Sequence, residues 1–118
     1  MSGRVRKIES QLREIVGEEV ANLSDPRIQG LVTITGVRVS PDLAHARVFY
    51  SVLAGKDAED ARDGLQSAAG RIQAAVGVQT RLKRTPRLSF EPDPVVEQAA
   101  RIETALRGVR SHDDPHEE

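Results

Sequence analysis

The sequence predicts an α+β domain: a three-stranded sheet with helices on one face. Three observations carry this. Apolar residues recur at helical spacing near the start, in the middle and near the end of the chain. Between them lie segments rich in β-branched residues with period-two alternation. Pro, Gly and Asp clusters separate the segments, giving the order helix, strand, strand, helix, kink, helix, strand, helix. At 118 residues the chain has room for one core, and a sheet covered by helices is the compact solution for this order.

The first helix runs from about Arg4 to Leu23, with Ile8, Leu12, Ile15, Val16, Val20 and Leu23 on one stripe. Ser24-Asp25-Pro26-Arg27 stops it, because Pro26 lacks a donor and disfavours a helical Asp25. Leu31 to Val39 is the first strand. Its alternation changes phase at Gly36, so a bulge there places Val32, Ile34, Val37 and Val39 on one face. Ser40-Pro41-Asp42-Leu43 is a turn. Ala44 to Leu53 is the second strand, antiparallel to the first, with Ala46, Val48, Tyr50 and Val52 inward.

Asp57 caps the next helix, whose stripe is Ala58, Ala61, Leu65, Ala68, Ala69, Ile72 and Val76. Gly70 is a place for a kink, and Gly77 is expected to end the helix. Arg87 to Glu91 is a short third strand after Pro86. Asp93 and Pro94 open a last helix with the stripe Val96, Ala99, Ile102 and Leu106. The expected domain is 1–109, followed by an acidic, disordered tail over 110–118.

The core must be aliphatic, since the chain has no Trp, one Tyr and two Phe. It has no Cys, which excludes disulfides and thiolate metal sites and fits a reducing cytoplasm. No apolar run approaches the roughly 20 residues of a membrane span, and no apolar stretch follows Arg4, Arg6 and Lys7 as in a signal peptide. The net charge of −1 conceals an asymmetry. Residues 71–90 carry Arg71, Arg81, Lys83, Arg84 and Arg87 with no acid, whereas Asp113, Asp114, Glu117 and Glu118 make the tail acidic.

A catalytic or metal site is not expected. His45 stands near a turn without Ser and Asp partners at a diagnostic spacing. His112 and His116 have the spacing of paired ligands on a helix, but Pro115 between them opposes one. Glu91 and Asp93 could form an acid pair, although the helix start already explains Asp93. No phosphate-binding glycine loop is present.

The basic segment points to nucleic acid. In an extended chain Arg81 and Lys83 share a face, with Arg87 in phase beyond Pro86, and such a stripe can follow a phosphate backbone. The same pattern suits a solvated, aggregation-resistant strand edge. Scarce aromatics argue against base-stacking modes such as those of RNA-recognition sheets, leaving backbone and shape recognition.

Asp25-Pro26-Arg27-Ile28 and the run Val32 to Leu53 resemble bacterial ribosome-binding factor A. Leu65, Ala68-Ala69-Gly70-Arg71-Ile72 and Thr85 to Asp93 match that family in order and spacing, so the resemblance covers roughly residues 4–107. It implies a KH-like fold of the second type. Such modules usually clamp nucleic acid with a Gly-x-x-Gly loop, which is absent here. The family's Ala-x-Gly kink corresponds to Ala68, Ala69 and Gly70.

The resemblance further implies binding to immature small ribosomal subunits, support of precursor ribosomal RNA processing at the 5′ end, and growth in the cold. The expected RNA contacts are Arg71, Arg81, Lys83, Arg84 and Arg87 around the kink, with Arg4, Arg6 and Lys7 at the other end. The expected protein is a cytoplasmic monomer that is no enzyme and needs no cofactor, with an assembly GTPase as a candidate aid to its departure. The alternatives are a KH-like module for messenger or small RNA, and an enzyme of nucleotide or RNA metabolism.

Overall fold

A computed structural model describes residues 3–53, 55–96, 98, 102, 105 and 106. Helix α1 spans Gly3–Ala21 and buries Ile8, Leu12, Ile15, Val16 and Val20, with Leu23 extending the stripe past its end. Pro26 lies in the turn that follows. Asp25 holds this turn by accepting the Arg27 amide at 2.9 Å and pairing with the Arg27 guanidinium at 2.6 Å. The turn drives Ile28 into the core.

Strands β1 (Val32–Val39) and β2 (His45–Val52) form the expected antiparallel hairpin. Ile34 pairs with Tyr50 and Gly36 with Phe49, so Thr35 is the extra residue of a bulge. The bulge restores the phase: Ile34, Val37 and Val39 are all buried, and Val32 packs against them. The hairpin turn uses a left-handed Leu43 with φ of 62°. Asp42 supports it, accepting the Ser40 hydroxyl at 2.7 Å and the Ala44 amide at 3.0 Å.

Helix α2 spans Ala58–Gln79, and the Asp57 carboxylate caps it by accepting the Glu59 and Asp60 amides. Ala61, Leu65, Ile72 and Val76 are buried, with Ala68 packed beside them. Gly64 is needed for close packing, because a Cβ there would stand 2.9 Å from the buried Ile28 side chain. Strand β3 (Arg87–Pro92) lies parallel to β2, giving the order β1-β2-β3. Thus α2 is the crossover that a parallel pair requires. Both helices cover the same face of the sheet, around Tyr50, Val48 and Ala46.

Four expectations need correction. The chain does not divide into two helices at Gly70: α2 is helical throughout. The alanines before Gly70 favour helix, one internal glycine costs only about 1 kcal/mol, and Ile72 and Val76 hold the second half on the core. Gly77 does not end α2, which continues to Gln79, with the Thr80 amide bonded to the Val76 carbonyl at 3.0 Å. Arg87 is not in phase with Arg81 and Lys83, because a bend at residues 83 and 84 intervenes. Finally, Val96, Ile102 and Leu106 are helical but exposed, since α1 and α2 already occupy the covered face of the sheet. Ala99 and the expected acidic tail lie outside the described residues, as do His112 and His116.

Candidate nucleic-acid interface

The segment joining α2 to β3 presents its cations while anchoring its backbone. Leu82 packs against the core and Pro86 is fully buried, whereas Arg81, Lys83 and Arg84 are exposed. Gln73 on α2 fixes the far end of the segment. Its side-chain amide donates to the Pro86 carbonyl at 2.5 Å and accepts from the Leu88 amide at 3.1 Å. Among the described residues the ion pairs are Arg27–Asp25 and Arg47–Glu91, so no carboxylate there neutralises Arg81, Lys83 or Arg84.

The remaining expected contacts are distributed. Arg71 is exposed on α2, beside a cleft shared with Asp25, Ser67 and Ala68. With Ser67, Gly70, Ala74 and Gly77 it belongs to one exposed helical face built mainly from small residues. The face is open at Gly70, where a Cβ would meet nothing within 4 Å, whereas a Cβ at Gly77 would stand 3.0 Å from the Thr85 hydroxyl. Arg4, Arg6 and Lys7 are exposed in the first turns of α1, where no acid stands in the first turn. Cations at a helix N-terminus oppose the macrodipole, and together they present positive charge to an anion. Arg87 belongs elsewhere: it opens β3 opposite His45, on the sheet face away from the helices.

The acid and histidine candidates have structural partners. The Ser40 hydroxyl donates to Asp42 and accepts the His45 amide, which shapes the hairpin turn without engaging the imidazole. Glu91 forms a two-pronged pair with Arg47 at 2.8 and 2.9 Å, which holds its carboxyl below the usual range. Asp93 accepts the Thr35 hydroxyl at 2.6 Å and the amides of Val95 and Val96, and these bonds lower its pKa, the Thr35 bond most. Among the described residues no cluster of His, Cys, Asp and Glu could hold a metal ion. No described helix is long and apolar enough to cross a membrane.

Sequence reasoning set Arg47 and Phe49 on the opposite face of the second strand but assigned no functional role to them or to Arg38; the sheet brings the three together on its open face. Their signal was the strand alternation itself: Arg47 and Phe49 fall out of phase with Ala46, Val48 and Tyr50.

Comparison with known proteins places this geometry. The family model of ribosome-binding factor A matches residues 4–106. A ribosome-binding factor A of Rubrobacter xylanophilus is 73% identical over 110 residues, covering 93% of this chain and 90% of the relative. The crystal structure of ribosome-binding factor A from Thermus thermophilus superposes with a TM-score of 0.69 at 34% identity, covering 75% of this chain and 93% of that one. A homology model of Thermus thermophilus ribosome-binding factor A, fitted into a cryo-EM map of its 30S complex, superposes with a TM-score of 0.61 at 34% identity, covering 72% of this chain and 90% of that one. The match over nearly the whole folded region, together with the shared fold, means that this chain belongs to the ribosome-binding factor A family.

Proposed function

We propose that this protein binds the immature small ribosomal subunit and its ribosomal RNA, supporting 5′-end processing and late assembly, including in the cold. The observation that carries this reading is the likeness to a Thermus thermophilus relative fitted into a 30S complex. The exposed cations of the 81–84 segment support it, because they stand on an anchored backbone without carboxylate partners among the described residues. Arg81, Lys83 and Arg84 meet phosphates, Arg71 and the small face of α2 follow the RNA backbone, and Arg4, Arg6 and Lys7 add contacts from α1. The protein acts in the cytoplasm as a monomer, by binding rather than by bond-making chemistry, and an assembly GTPase aids its release.

Charge alone gives no preference between immature and mature subunits, because both carry similar RNA charge. Preference requires differential affinity for two shapes. The anchored loop and the uninterrupted α2 supply a fixed surface for it. The test is sedimentation of lysate with detection of the protein, alongside RNA analysis of cells lacking it. The expected result is co-migration with free small subunits, and accumulation of unprocessed ribosomal RNA most visible in the cold. Equal binding to mature and immature subunits with normal processing at low temperature would overturn the proposal. Affinity for free RNA equal to that for subunits would favour a general RNA-binding module.

A further inference from the structure

The sheet has a second face that α1 and α2 leave uncovered. On β2 it carries His45, Arg47 and Phe49, with Arg38 opposite Arg47 on β1 and Arg87 opposite His45 on β3. A cleft of about 660 Å³ opens over this face, its lining including Arg38, His45, Arg47, Phe49, Asp93 and Val95. Phe49 and Arg47 form a platform: the guanidinium lies 5.1 Å from the ring centroid, and Glu91 grips it with two hydrogen bonds. On the β1 side Phe49 faces Gly36, where a Cβ would meet nothing within 4 Å, so the ring has open space beside it.

From this arrangement we propose that the open sheet face is a second RNA surface, which takes one unstacked base of a single-stranded segment on the Phe49–Arg47 platform. The flanking phosphates meet Arg38 and Arg87. Aromatic rings and guanidinium planes are the groups on which splayed-out bases stack. The charges suit a phosphodiester chain: the Glu91 carboxylate is engaged by Arg47, and Asp93 is engaged by the Thr35 hydroxyl and two amides. That leaves Arg38 and Arg87 as the uncompensated charges of the face among the described residues. A single ring accommodates a single base, consistent with the scarcity of aromatics in the chain.

The inference rests on the RNA-binding role proposed above but is tested on free RNA, so the two can fail separately. The full chain is titrated by NMR with a single-stranded RNA octamer of alternating cytidine and adenosine, and in parallel with a nucleoside monophosphate. The expected result is that the Phe49 ring and the Gly36 amide shift with the octamer, and far less with the mononucleotide. Phe49→Leu weakens octamer binding roughly 10-fold, whereas Phe49→Tyr, which keeps a stacking ring, retains it. Removing both Arg38 and Arg87 flattens the salt dependence by about 1.4 in log–log slope. Wild-type-like amide spectra establish that each variant folds. Octamer shifts confined to α2 and the 81–84 loop, equal affinity for the mononucleotide, or undiminished binding by Phe49→Leu would each overturn the second surface. If the protein still sedimented with subunits, the primary role would stand.

Discussion

The side chain of Gln73 occupies the edge of β3 as a neighbouring strand would, accepting the Leu88 amide at 3.1 Å while donating to the Pro86 carbonyl. Two main-chain groups of a strand edge are thereby satisfied from a helix, and the end of the basic loop is tied to α2. Gln73→Leu should cost about 1–3 kcal/mol, since it strands a partly buried amide. Chemical denaturation measures the loss, and faster hydrogen exchange at Leu88 locates it. An unchanged midpoint with unchanged exchange would show that water replaces Gln73 without penalty.

The two glycines inside α2 should respond to alanine in opposite directions. A Cβ at Gly64 would stand 2.9 Å from Ile28, which is buried and cannot yield freely, so Gly64→Ala should destabilise by about 1–3 kcal/mol. Gly70 is exposed with open space around it, and Gly70→Ala should stabilise by up to about 1 kcal/mol. Thermal midpoints of the two variants check the ordering. A destabilising Gly70→Ala would show that the helix relies on glycine there for its course. Reduced subunit binding by a stable Gly70→Ala variant would place that face against RNA.

Removal of the charges at Arg81, Lys83 and Arg84 together should weaken RNA binding and lower its salt dependence. Four or five phosphate contacts imply a loss of roughly 10²-fold or more between 50 and 200 mM salt, and the triple variant should lose most of that slope. Filter binding across a salt series measures it. An unaltered slope would remove this loop from the interface.

Stability should fall in acid. The Arg27 pair holds the Asp25 carboxyl low, the Ser40 hydroxyl lowers Asp42, Arg47 lowers Glu91 and the Thr35 hydroxyl lowers Asp93. Each folded-state pKa lies below its unfolded value, so the unfolded chain binds protons first. The associated stability is complete above the ordinary carboxylate range, near pH 4, and is lost as pH falls through the lower folded values. The thermal midpoint should hold to about pH 5 and then decline, and less steeply in Glu91→Gln. A Glu91→Gln variant with the full acid loss would show that the Arg47 pair contributes nothing to it.

The elements were legible where one periodic signal dominated. Ile8 through Leu23 and Ala46 through Val52 spell out their buried faces, and the phase change at Gly36 disclosed the bulge. Asp57 and Asp93 announced their helix starts. Glycine misled twice in α2, because local propensity at Gly70 and Gly77 is outweighed by Ile72 and Val76 on the core. Arg87 was misplaced because a bend at residues 83 and 84 separates it from Arg81, and a bend of exposed charged residues leaves no periodic trace. Gln73 was invisible as an anchor, since its partners lie 13 and 15 positions away.

The two pairings of β2 close very different lengths of chain, which favours one order of assembly. Val39 meets Ala46 across a tight turn, whereas His45 meets Arg87 only after the whole of α2 has been traversed. By loop-closure entropy the second pairing costs about 1.6 kcal/mol more than the first. The hairpin can therefore form early in a growing chain, while the sheet closes only once β3 has been made. In stopped-flow folding, Val48→Ala should chiefly slow refolding and Phe90→Leu should chiefly speed unfolding. The reverse pattern would place β3 in the nucleus. On this order, the anchored basic loop is among the last parts of the molecule to acquire its shape, and a partly folded chain would carry its cations without the geometry that directs them.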